Sequence, residues 1–156
     1  VRRAMLGLGD PNVPSPVQLT LQQIADLRPV ERDGFSVLNR DDDPLVSMAI
    51  VDRDNLLPQA SLGLGVLVGV PRLSTVAFCP ADAGQEISDA LARFVADTYR
   101  GAGDQCSPDL FWLQGDRMVQ VPVTLTEPPT VMLPAALLPS PRRTWLRHLL
   151  QQVFRR

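Results

Sequence analysis

Between residues 62 and 123 the apolar positions switch between two periods. Val66, Leu67, Val68 and Val70 form a short, β-branched-rich run of the kind that makes a strand. Pro71-Arg72 is expected to break it, because proline has no N–H to give to a ladder, and Ser74 to Phe78 resumes it. So short a break predicts an antiparallel hairpin. Next, Ile87, Ala90, Leu91, Phe94, Val95 and Thr98 recur at spacings of three and four, which predicts a helix from about Asp82 to Arg100 with one apolar stripe. Asp82 stands where an N-cap belongs, Gln85 is placed to complete a capping box, and Gly101-Ala-Gly103 ends the helix. Period two returns in Leu110–Gln114 and Arg117–Val123, a second hairpin turning at Gly115-Asp116. The strand-strand-helix-strand-strand order predicts an α+β fold, an antiparallel-rich sheet with one covering helix in a two-layer sandwich.

Upstream, Leu19, Leu21, Ile24 and Leu27 predict a short helix over Gln18–Leu27, with Thr20 as its cap and Arg28-Pro29 as its stop. Phe35–Leu38 reads as a strand and residues 39–44 as a turn. In Leu45–Val51, Ser47 and Ala49 alternate against Val46, Met48 and Ile50, which predicts a further strand and five or six in all. The whole chain, 1–156, reads as one α+β domain. Residues 1–16 are an irregular lead-in, 17–123 the core, 124–140 a proline-rich strap and 141–156 a C-terminal basic amphipathic helix.

Composition narrows the class. The chain has 156 residues, 45% of them hydrophobic and 21% charged, which is enough to bury a real core. No apolar run approaches the ~20 residues that span a bilayer. The opening Val1-Arg-Arg-Ala-Met-Leu shows no secretory pattern, so a cytoplasmic location is expected. Of fifteen prolines, Pro11, Pro14 and Pro16 cluster early and Pro122, Pro128, Pro129, Pro134, Pro139 and Pro141 late, so extended segments laid over the core are expected at the ends. Cys79 and Cys106 are too few for a disulfide framework and lack metal-ligand spacing, so two free thiols are expected.

Charge is uneven. Residues 1–127 hold all seventeen acids and ten arginines, a net −7, while residues 128–156 hold five arginines, a net +5. A net charge of −2 disfavours a general nucleic-acid binder; the basic tail is either a docking segment or packs on its own acidic body.

Motifs for chemistry are sparse. His148 is the only histidine, so histidine triads and histidine-rich metal sites cannot be assembled. Gly7-Leu-Gly9 has neither the preceding strand nor the third glycine of a phosphate loop, and neither Gly-x-Ser-x-Gly nor a P-loop occurs. Asp41-Asp42-Asp43 brings three carboxylates together but lacks the alternation, glycine bend and distal acid of a cation loop, so it reads as a solvated turn. No cofactor and no metal site is expected, and no catalytic residue is singled out.

Gln18-Leu-Thr-Leu-Gln-Gln-Ile24, Phe35-Ser-Val-Leu-Asn39, Gly65-Val-Leu-Val-Gly-Val-Pro71 with Ser74-Thr-Val-Ala-Phe78, and Asp109-Leu-Phe-Trp-Leu-Gln-Gly-Asp116 follow an order that resembles the YtpQ-like family of bacterial proteins. The likeness covers residues 17–123. It implies an intracellular α+β domain and brings no catalytic residues with it.

The tail carries the functional expectation. In residues 142–156, Trp145, Leu146, Leu149, Leu150 and Val153 share one helical stripe, with Arg142, Arg143 and Arg147 among the polar positions and Ser140-Pro141 as a start signal. The stripe packs on its own sheet, docks on a partner protein or second copy, or lies on an anionic membrane or nucleic acid. The favoured reading is a non-catalytic binding or adaptor domain that works through protein–protein contacts, the C-terminal helix forming part of the contact surface. Its candidate partner-binding residues are Trp145, Leu149, Leu150, Val153, Arg142, Arg143 and Arg147. A small enzyme with a carboxylate-based site is the alternative, and an anionic-surface binder comes third.

Overall fold

The computed structural model describes residues 22–51, 63–124 and 129–137. They form an α+β fold built on one six-stranded sheet of order β1-β2-β4-β3-β5-β6, every neighbouring pair antiparallel. The strands are β1 Val30–Arg32, β2 Phe35–Asn39, β3 Val66–Arg72, β4 Thr75–Pro80, β5 Leu110–Gln114 and β6 Arg117–Val121. A 17-residue helix, α1 (Gln85–Gly101), follows β4. A two-stranded ribbon of β7 (Val123–Thr124) and β8 (Thr130–Val131) follows β6.

Hydrophobic side chains fill both faces of the sheet. On one, α1 lies across β3 and β4, and Leu91, Ala92 and Val95 are buried with Phe35, Leu67, Ala77, Cys79 and Leu110. The approach is close because β3 has no side chain at its middle: a Cβ on Gly69 would collide with Val95. On the other face, Val66, Val68, Val70, Val76, Phe78 and Leu113 meet Ile24, Leu27, Val46 and Ala49. The central strands β3 and β4 are therefore buried along nearly their whole length, which explains their continuous rather than alternating apolar character.

Several expectations are corrected by this packing. Leu45–Val51 is not a strand. Pro44–Ile50 is a 3-10 helix that presents Val46 and Ala49, three apart, to the second face. Pro44 supplies the preset backbone angle of a first helical position, and the Asp43 carboxylate accepts from the Leu45 N–H at 3.0 Å. Pro71 does not break β3: the strand runs on to Arg72 through a shift of register between Gly69 and Arg72, where a missing N–H is tolerated. Asp82 is not the helix cap. Gly84, at φ 101°, precedes α1, and the Gln85 side chain donates to Asp89 Oδ1 and to the Val131 carbonyl, both at 2.8 Å, instead of closing a capping box.

The covering stripe is rotated as well. Ser88, Leu91, Ala92 and Val95 are its buried residues, while Ile87, Ala90, Phe94 and Thr98 are half-buried. Of the N-terminal helix expected over residues 18–27, residues 22–24 are helical, and Thr20 lies outside the described residues. The sixth strand is β1, joined to β2 by a two-residue turn at Asp33 (φ 50°) and Gly34 (φ 85°). Both centres are left-handed, as a primed hairpin turn requires.

Candidate functional site

The seven tail residues singled out from the sequence, Arg142, Arg143, Trp145, Arg147, Leu149, Leu150 and Val153, lie outside the described residues, as do His148 and Gly7-Leu-Gly9. The surface that stands out among the described residues is the β6 edge of the sheet.

Its geometry follows from the hairpin. Gly115, at φ 52°, takes the first central position of a two-residue turn between β5 and β6, so Gln114 faces Arg117 as the closing pair. Pairing then alternates: Trp112–Val119 and Leu110–Val121 share the register that exchanges backbone bonds, and the N–H and C=O groups of Met118 and Gln120 point away from β5. Among the described residues no strand lies beyond β6 in the sheet. Met118 is 58% exposed and Val119 49%, on opposite faces of the strand. Arg117 and Gln120 are exposed too, and only Val121 is buried. Trp112, on the neighbouring strand, is fixed by an indole N–H bond to the Leu64 carbonyl at 2.7 Å.

The other edge of the same sheet differs. β1 has three residues against five, carries Glu31 and Arg32, and follows Pro29. Shortness, charge and a neighbouring proline are the devices that keep an edge from pairing. Residues 118–121 carry no charge.

The ionisable groups mostly hold loops in place. Asp104 receives Arg72 Nε at 2.6 Å and the Ser74 hydroxyl at 2.9 Å, tying the β3–β4 turn to the loop after α1. The bond from Arg72 holds this carboxyl below its ordinary range. Arg40 bridges Asp26 at 2.6 Å and Asp43 at 3.2 Å, joining residues 22–27 to the 3-10 helix. Asp41 accepts from Asn39 Nδ2 at 3.1 Å, so part of the aspartate run shapes the turn. Among the described residues no three His, Cys, Asp or Glu side chains come together as a metal site. Cys79 is buried against α1, where desolvation pushes its thiol up to about 12, and Cys106 is exposed; neither is in a disulfide.

Comparison with protein-family models, curated proteins and solved structures found no match. Among the described residues no helix is long and apolar enough to cross a membrane.

The β6 edge could not be found from the sequence. Leu110–Val121 reads as a hairpin, but whether its second strand ends the sheet depends on which distant strands pair. The one local signal is the uncharged run Met118-Val119-Gln120-Val121, with apolar residues on both faces.

Proposed function

We propose that this chain is a non-catalytic binding domain that works through protein–protein contacts, with the β6 edge receiving an extended segment of a partner. The exposed, uncharged β6 edge supports this reading, because an added strand would satisfy the outward backbone groups of Met118 and Gln120 and cover two exposed apolar side chains. The C-terminal segment, with Trp145, Leu149, Leu150 and Val153 between basic residues, is proposed as a second contact of the same kind.

Peptides selected for binding to the full chain provide the test. Binders are expected to slow hydrogen exchange at the Met118 and Gln120 amides. They are expected to lose about tenfold or more in affinity to a Gln120→Pro variant, which lacks the outward N–H but keeps the β5 ladder. Met118→Lys should weaken them as well, by charging the edge. Binders that protect a different surface and tolerate both substitutions would overturn the edge as the contact. Comparing the same peptides on a chain ending at residue 140 separates the contribution of the tail.

A further inference from the structure

At the opposite end of the sheet, a groove of about 430 Å³ lies between the β1–β2 hairpin and the flank of α1. Its floor is aromatic: Phe35 and Phe94 meet at 5.3 Å between ring centroids, tilted by 48°. Its rim is charged. Arg32 at the end of β1 and Arg93 on α1 face it together with Asp33 and Asp97.

The state of the two arginines gives the groove a chemistry. Arg32 lies over the Phe94 ring, its guanidinium carbon 5.2 Å from the centroid. A cation–π contact pairs the guanidinium with a ring face and not with an oxygen acceptor. Neither the Arg32 nor the Arg93 side chain makes an ion pair or a hydrogen bond among the described residues. The lining holds two guanidiniums and two carboxylates; Asp97 also pairs with Arg100 at 3.1 Å, and Asp33 makes no ion pair among the described residues. The Asp33-Gly34 turn also holds the hairpin against α1, since Gly34 packs where a Cβ would meet the Ile87 side chain at 3.0 Å. Arg32 is thereby set on a braced turn rather than on a free loop.

We infer that this groove binds a small organic oxyanion, a carboxylate or a phosphate monoester. Its head is taken by the edges of Arg32 and Arg93, and its body lies over the Phe94–Phe35 floor. Planar, bidentate recognition of such a head is what arginine forks supply. The volume falls in the range of small-ligand sites and exceeds what a bare inorganic ion fills. This site goes beyond the β6 contact and lies at the other edge of the sheet, so either can fail alone.

Phenyl phosphate, benzoate, inorganic phosphate and neutral benzyl alcohol, each titrated into the full chain at matched ionic strength, test it through amide chemical shifts. At least one of the two aromatic anions is expected to shift the amides of Asp33, Gly34 and Arg93–Thr98 saturably. Benzyl alcohol is expected to leave them unmoved, and inorganic phosphate to bind about tenfold more weakly. Which aromatic anion binds more tightly distinguishes a phosphate from a carboxylate ligand. Arg32→Gln and Arg93→Gln should each weaken binding about tenfold, and Arg93→Lys, which keeps the charge but loses the fork, should fall between. Arg93 is exposed, so its variants keep the fold, and an unchanged amide spectrum elsewhere confirms it. The site is refuted by shifts that follow ionic strength alone, by equal shifts from benzyl alcohol, or by anion binding that both glutamine variants retain.

Discussion

Gly69 shows how one residue sets the distance between the two layers. Where α1 crosses β3, an added methyl would collide with Val95 and reach Leu110 Cδ2 at 3.1 Å. Val95 is β-branched and fully buried, so it cannot swing aside. Gly69→Ala is therefore expected to destabilise by about 1–3 kcal/mol in urea unfolding, the usual range for overpacking. Pairing it with Val95→Ala should recover part of that loss, which a double-mutant cycle measures. Phe94 shows the converse. It is half-buried, so Phe94→Ala should cost less than the ~3–5 kcal/mol of a fully enclosed ring, and less than Leu91→Ala at a fully buried position on the same helix. Asp104 acts through charge. Its folded pKa is held below the unfolded value by Arg72 and Ser74, so its contribution is present above the unfolded value near 3.8 and is lost as pH falls through the folded one. Urea midpoints should fall with acidification through that window, and Asp104→Asn should flatten this part of the profile.

At the level of elements, legibility followed the range of the forces involved. β3, β4, α1 and the β5–β6 hairpin show in the sequence because period, turn and length agree locally. The 3-10 helix reads as a strand in the sequence because Val46, Met48 and Ile50 alternate as a strand would, while Val46 and Ala49 also sit three apart. The deciding signal is Asp43-Pro44, a cap followed by a first-turn proline. Asp43→Ala removes the bond to the Leu45 N–H together with the bridge to Arg40, and is expected to cost about 0.5–2 kcal/mol. β1 shows nothing in its own hydrophobicity, since all three of its residues are exposed. Its signal is the Asp33-Gly34 pair that follows it. The β6 edge and the arginine groove are harder cases. Both depend on the order β1-β2-β4-β3-β5-β6, which is set by pairings between strands distant along the chain, so no local pattern announces them.

For the whole molecule, the two cysteines separate surface chemistry from global stability. Cys106 is exposed, with its backbone N–H bonded to the Pro71 carbonyl at 3.0 Å. Cys79 is 1% exposed on the inner side of β4, beneath α1. Its thiol, pushed up to about 12, is almost wholly protonated at neutral pH, and the protonated form is a poor nucleophile. Burial and protonation therefore act together. A thiol reagent at neutral pH should label one site per native chain quickly, Cys106, and a Cys106→Ser variant should then react only as fast as the protein opens. Because β4 pairs with both β2 and β3, exposing Cys79 requires α1 to leave the sheet or the sheet to come apart. The labelling rate of Cys106→Ser should accordingly track urea and respond to Gly69→Ala by the factor its unfolding free energy dictates. Rapid labelling of Cys79 without any such dependence would mean that α1 detaches without unfolding the sheet. The helix would then be a mobile cover rather than half of the core.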